Sequence, residues 1–174
     1  TSPTNIGLSL LAILAAERLG MIPWAEAVRR LTGTVSTLEQ LETYRGHLFN
    51  WYDTRTLAVL APAAISSVDS GNLCASLLTA SQIVSERGAS QLADRMRALA
   101  AADFTAFYDE DRRLMRIAID RNGEPVGGFY DMLASESRLT SSLAIASGQI
   151  PANHWRALSR QLSESGGYAG LVSW

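Results

Sequence analysis

Helical segments that are apolar on every side alternate along this chain with segments that are apolar on one side only. Few folds accommodate that alternation. Residues 4–19 carry Ile6, Leu8, Leu10, Leu11, Ile13 and Leu14 around the whole circumference, and hold charge back to Glu17 and Arg18. Residues 24–44 instead repeat Trp24, Val28, Leu31, Val35, Leu38 and Leu41 at helical spacing, with Glu26, Arg29, Arg30, Glu39 and Glu42 on other faces. The same pair recurs twice. Residues 70–87 read as interior and 91–107 as one-sided; 135–148 carry no charge beyond Arg138, and 151–162 keep Trp155, Leu158 and Leu162 on one face. Caps agree with these bounds: Thr4 or Asn5 opens the first helix, Gly20 stops it, Asp69 is placed to cap the third, and Pro151 opens the sixth.

Each turn from an inner to an outer helix is short, whereas both returns are long: residues 45–69 and 108–130. In a stack of antiparallel hairpins the long connections then gather at one end, beside the N-termini of the inner helices. The expected fold is all-α: antiparallel helical hairpins forming about half of a closed α/α barrel. A small β-hairpin is expected in a rim loop, from Leu114-Met-Arg-Ile-Ala-Ile119 and the Asp120-Arg-Asn-Gly123 turn. Residues 1–174 read as a single unit, cut at both ends from a longer chain, since they open on Thr1-Ser-Pro-Thr and end on the apolar, strand-like Leu171-Val-Ser-Trp174.

Composition narrows the function. A net charge of -2 leaves no basic footprint for nucleic acid. The longest apolar run, residues 6–16, is far short of the roughly 20 residues a membrane span needs. The single cysteine, Cys74, sits between Leu73 and Leu77 and reads as core. Two histidines and one cysteine at no motif spacing assemble no metal set, and neither a nucleophile elbow nor a phosphate-binding glycine loop is present, so no cofactor is expected.

The first long connection, Arg45-Gly-His-Leu-Phe-Asn-Trp-Tyr-Asp-Thr-Arg-Thr56, has enough apolar surface to be ordered, and ordered long loops on a rigid scaffold carry sites. Three acids share its rim: Asp53 in the loop, Asp69 at the start of the third helix, and Glu136 in the first turn of the fifth. Trp51, Tyr52, Phe129 and Tyr130 lie near them in sequence. Carboxylates beside flat rings suit a sugar site, the acids exchanging protons and the rings stacking on pyranose faces. Each acid also has a structural reading. Asp69 caps a helix, Asp53 makes a turn, and Glu136 is favoured at a helix N-terminus by the dipole, which argues against a proton donor there unless burial or a like charge offsets it.

Thr1-Ser-Pro-Thr-Asn-Ile-Gly7, the 45–57 loop, Ser67-Val-Asp-Ser-Gly-Asn-Leu73, Tyr130-Asp-Met-Leu-Ala-Ser-Glu-Ser-Arg-Leu139 and Ile145-Ala-Ser-Gly-Gln-Ile-Pro-Ala-Asn-His-Trp155 together carry a resemblance. The chain resembles the N-terminal portion of the glucoamylase-like domain of bacterial cyclic β-1,2-glucan synthases, over nearly its whole length. The resemblance implies a six-hairpin (α/α)6 barrel that lies between a membrane glycosyltransferase region and a phosphorylase-like region, on the cytoplasmic side of the inner membrane. It implies action on linear β-1,2-glucan, by transglycosylation with ring closure or by endo-hydrolysis. Its partners are then the glucan chain, the remaining half of the barrel and the two flanking regions. Glu136 matches a catalytic carboxylate, expected as acid/base, and Asp53 and Asp69 match acidic positions of the sugar-binding face, with Trp51, Tyr52 and Tyr130 beside them. Ser147 departs from the family's usual lysine. The family's second catalytic carboxylate falls beyond Trp174, so these residues alone are expected to be inactive. Two other readings stay open: a glucan-binding or scaffolding domain without turnover, and a helical packing module whose rim is an assembly surface.

Overall fold

The computed structural model describes residues 1–173. Helix α1 (Pro3–Arg18) starts where Ser2 Oγ accepts from Asn5 N–H at 3.3 Å, with Pro3 in the first turn where its missing N–H costs nothing. Helix α2 (Trp24–Leu38) buries Ala27, Leu31, Val35 and Leu38, one stripe at a spacing of three to four. Helix α3 (Ser67–Glu86) buries residues around most of its girth, from Ser67 and Val68 to Val84. Helix α4 (Ser90–Leu99) again buries one stripe, Leu92, Ala93 and Met96. The third pair is shorter: α5 (Arg138–Ala146) and α6 (Asn153–Ala157). α3 lies at the centre, packed against α1, α4 and α5, with α2 against α1 and α4. The expected order holds for α3, buried round most of its girth, and for the one-sided α2 and α4. α1 instead buries one stripe, Pro3, Gly7, Leu10 and Leu14, and leaves Leu8 exposed, so it is not covered on every side. No helix among the described residues is long and apolar enough to cross a membrane.

The all-α expectation fails. Between the helices lies a five-stranded antiparallel sheet built from β3 (Asn50–Tyr52), β4 (Val59–Ser66), β5 (Tyr108–Asp109), β6 (Leu114–Asp120) and β7 (Pro125–Tyr130), in the order β3-β4-β6-β5, with β7 also on β6. The expected hairpin at residues 114–123 is the β6–β7 part of this sheet, and it is not an isolated rim feature. β4 escaped notice because Val59-Leu-Ala-Pro-Ala-Ala-Ile-Ser66 is rich in alanine, carries Pro62 and lacks alternation, so only its last part, at Ile65, enters the core.

Of two further hairpins, one replaces the end of an expected helix and one follows the sixth helix, which ends early. α2 stops at Leu38, and β1 (Thr43–Tyr44) pairs with β2 (His47–Leu48) across Arg45 and Gly46, whose φ angles of 51° and 84° are what a tight hairpin turn demands. A side chain at Gly46 would meet the Ala102 backbone at 3.0 Å. α6 ends at Ala157, and β8 (Leu162–Ser165) pairs with β9 (Tyr168–Leu171) over a Gly166-Gly167 turn, both strands exposed. Trp174, the end of the expected strand-like tail, lies outside the described residues. α4 stops eight residues short of Phe107, where Asp103 Oδ1 accepts from Thr105 N–H and starts a 3-10 turn over Phe104–Phe107.

One core joins helices to sheet: Leu10, Leu31, Val35, Leu77, Met96, Phe104, Phe107, Met115 and Ile119 are buried in it. Cys74 is buried there too, its thiol pushed up to about 12 by desolvation. Both histidines are fully buried. His47 Nε2–H donates to the Asp103 carbonyl at 2.8 Å, with the ring edge-on to Phe104 and Phe107. His154 Nδ1–H donates to the Arg113 carbonyl at 2.8 Å, and Nε2 accepts from the Ser141 hydroxyl at 2.9 Å. Burial pushes both imidazoles below the usual 6.5, so both are neutral in the fold. The unfolded chain takes up their protons first as pH falls, so their contribution is complete above about 6.5 and is lost toward their depressed native values. Denaturant unfolding from pH 7.5 down to 5 should lose up to about 1.4 kcal/mol per pH unit for each histidine titrating differently. A flat profile there would show that the rings are not held neutral. The depressed carboxyls of Glu39, Asp53 and Asp103 act in a separate, more acid window.

Candidate active site

The sheet and the inner helices meet where three backbone segments end. β4 runs without a break into α3, and Ser66, not Asp69, caps that helix: Ser66 Oγ accepts from Asp69 N–H at 3.2 Å. This corrects the expected cap. Because a serine takes that role, the Asp69 carboxylate is released to reach two other elements. Oδ1 accepts from Thr4 N–H at 3.2 Å, in the first turn of α1, and Oδ2 accepts from Asn50 Nδ2 at 2.8 Å, on β3. Asn72 Nδ2 donates to Thr4 Oγ1 at 3.1 Å. A single half-buried carboxylate thus ties α1, α3 and β3 together.

Glu136 does not lie in the first turn of α5. It precedes the helix, on an irregular connector that leaves β7 at Tyr130. The start of this connector is pinned to Ser159: Ser159 N–H donates to the Asp131 carbonyl at 2.6 Å and Leu133 N–H to the Ser159 carbonyl at 3.0 Å. Its end is pinned by the Ser135 and Ser137 hydroxyls, 3.1 Å apart. The Glu136 side chain is exposed, and its Oε1 accepts from the Tyr130 hydroxyl at 3.1 Å. Tyr130 is buried, and its phenol is pushed up to about 12 by desolvation, by its bond to Glu136 and by the charges of Glu136 and Asp69. The charges of both acids therefore bear on one hydroxyl, which Glu136 alone is shown to bond. Glu136 and Leu139 line an open depression of about 510 Å³, and Leu139 is shared with an adjoining one of about 390 Å³ lined by Thr4 and Asn72. The two depressions meet at Leu139; Glu136 lines the first, and Asp69 lines neither but bonds Thr4 at the edge of the second.

The remaining expected site residues divide. Trp51, next to Asn50, keeps 47% of its surface exposed and offers a ring face. Tyr52 has its hydroxyl engaged, donating to the Glu42 carbonyl at 2.6 Å and accepting from Phe49 N–H at 2.9 Å, with desolvation raising its pKa to about 12. It anchors the 43–52 segment to the end of α2. Asp53 is turned onto its own loop, accepting from Arg55 and Thr56 N–H at 2.8 Å each, and it lines a different depression with Thr37, Leu38 and Leu57. Those two bonds hold its carboxyl below the usual range. Phe129 is covered by the Arg112 and Arg116 guanidiniums at 5.1 and 4.8 Å. Asn50, expected only as a polar residue of the 45–56 loop, Thr4, expected only as a helix cap, and Asn72, given no role, join Asp69 here. Their signal was present in the three quoted motifs that contain them, but neutral side chains draw little notice beside carboxylates. Among the described residues no group of three or more His, Cys, Asp or Glu could hold a metal ion.

Two acids thus bear on the Tyr130 hydroxyl, and Asn50, which bonds one of them, precedes the exposed Trp51. Solved structures share the fold. An endo-β-1,2-glucanase from Chitinophaga pinensis, in complex with sophorotriose and glucose, superposes with a TM-score of 0.81 at 21% identity, over 98% of this chain and 44% of its own. A protein assigned as a glucoamylase from Bacteroides fragilis gives 0.82 at 21% identity, over 99% and 45%. A further such protein from Bacteroides caccae gives 0.83 at 18% identity, over 99% and 46%.

Sequence comparison points the same way. The chain is homologous over 100% of its length to the cyclic β-(1,2)-glucan synthase NdvB of Rhizobium meliloti (strain 1021), at 26% identity, and covers 11% of that protein. Residues 1–80 match a family described as a protein of unknown function, DUF3131. The chain thus spans under half of each of these solved relatives and about a tenth of the synthase.

Proposed function

We propose that this chain is part of a carbohydrate-active domain that acts on β-1,2-glucan within a larger bacterial protein. The observation that carries the reading is the Tyr130 hydroxyl bonded to Glu136 within the field of Asp69, in a chain homologous throughout to a β-1,2-glucan synthase. Glu136 is assigned as the carboxylate that exchanges a proton or bond with the glycosidic centre. Asp69, held by Thr4 and Asn50, is assigned to the sugar-binding wall, and Trp51 to stacking on a pyranose face. Asp53, bound into its own turn, is left out of the cleft. A second carboxyl, either about 5–5.5 Å from Glu136 for retention or about 6.5–9.5 Å for inversion, is assigned to the part of the protein outside these residues.

The chemistry makes linkage the discriminating test. The full-length protein should convert linear β-1,2-glucan to shorter or cyclic products and leave linear β-1,3-glucan intact. Equal conversion of both, or of neither when β-1,2-glucan binds, would contradict the reading; binding without turnover would make this a glucan-binding domain.

A further inference from the structure

We propose that Tyr130 is a positioning residue for Glu136 and not a sugar contact; the proposal rests on the catalytic assignment of Glu136. Glu136 projects from an irregular connector, and its side chain is exposed. Such a carboxylate samples many rotamers, and productive geometry tolerates little wandering. Tyr130 supplies what the connector lacks. It lies at the end of β7, in register with Met115, which is fully buried, and is itself only 8% exposed. Its ring is therefore a fixed post in the core, with the hydroxyl at the surface of that core.

The hydroxyl donates to Glu136 Oε1 at 3.1 Å. Phenol ionisation is suppressed by burial and by the two acids nearby, so the group remains a donor at every pH at which a carboxyl works. That commits Oε1 to the protein and leaves exchange with the substrate to Oε2. The six-residue spacing from Tyr130 to Glu136 is what lets one segment provide both the carboxylate and its support. The same hydroxyl lies in the field of Asp69, so a change in the charge of either acid is felt by the other through this post.

The test uses the full-length protein with Tyr130→Phe, which keeps the ring and removes the donor. On linear β-1,2-glucan, kcat should fall about 10- to 100-fold, KM should stay within about twofold, and the limb of the pH–rate profile due to Glu136 should move. An unchanged kcat and pH profile would overturn the positioning role, and so would a raised KM at constant kcat, the mark of a sugar contact. Should Tyr130→Phe fail to fold, 3,5-difluorotyrosine at position 130 keeps shape and donor but changes acidity; the same limb should move, and a fixed limb overturns the proposal. Glu136→Gln in parallel separates the two levels. If Glu136→Gln abolishes turnover while Tyr130→Phe changes nothing, only the positioning role is lost. If Glu136→Gln turns over normally, the catalytic assignment itself is lost.

Discussion

Glu136→Gln in the full-length protein should lower turnover of linear β-1,2-glucan by on the order of 10²–10⁴-fold and leave glucan binding nearly unchanged. The amide has the shape of the carboxylate and keeps an oxygen for the Tyr130 hydroxyl at the position it now occupies. What it loses is the capacity to exchange a proton or to form a bond at the glycosidic centre. Asp69 is a less discriminating target, because its two oxygens accept from Thr4 N–H and Asn50 Nδ2 and join three elements. Replacing it with Asn would turn a donor toward a donor and disturb the scaffold as well as the site. Steady-state turnover and equilibrium binding, measured on one preparation, check the expectation: parallel loss of both would indicate a binding role, and no loss in either would remove Glu136 from the chemistry.

The largest effect on stability is expected at Gly71, where α3 meets α5. A Cβ there would lie 2.0 Å from Thr140 Oγ1, 2.6 Å from its Cβ and 2.8 Å from its Cα. Rotating Thr140 moves the first of these atoms only, so the helices must separate, and the Thr140 hydroxyl would leave the Ser67 carbonyl it now bonds at 3.2 Å. Alanine is the better helix former by about 1 kcal/mol, but overpacking of this kind costs about 1–3 kcal/mol and sometimes more. Gly71→Ala should therefore destabilise by up to about 2 kcal/mol net and lower Tm by up to roughly 8 °C. Gly33→Ala is the control. It lies within α2 with no atom inside 4 Å of the added carbon, so propensity acts alone and stability should rise by up to about 1 kcal/mol. Equal effects at the two positions would mean that the α3–α5 approach is not as close as described. Since α5 follows the Glu136 connector and α3 carries Asp69, the same displacement should also reduce activity.

Legibility in the sequence followed the physics of each segment. α1 and α3 announce themselves by apolar residues all round and α2 and α4 by one stripe, because a helix repeats its environment every three to four residues. The strands gave little signal. β4 is short of β-branched residues and holds a proline, and β1, β2 and β5 are two residues each, which is below the length at which alternation can be seen. The charge-poor alanine and hydroxyl content of residues 135–148 hid the true start of α5 at Arg138, so Glu136 was placed in a helix that begins two residues later. Asp69 was read through its helix because local rules know only the nearest N-terminus. Its actual partners, Thr4 and Asn50, are 65 and 19 residues away. Asp69 and Glu136 were legible as acids expected on one rim. That Asp53 turns onto its own loop was not, because Asp53 and Asp69 differ only in whether their own loop supplies the N–H groups they accept from.

The most direct measurement is a crystal structure of the full-length Glu136→Gln protein with a linear β-1,2-gluco-oligosaccharide. The account predicts a sugar chain in the depressions that meet at Leu139, with one ring against Trp51, hydroxyls within hydrogen-bond reach of Asp69, and a glycosidic oxygen at residue 136 beside Tyr130. An ordered oligosaccharide bound elsewhere, with these depressions empty or filled by protein, would contradict it.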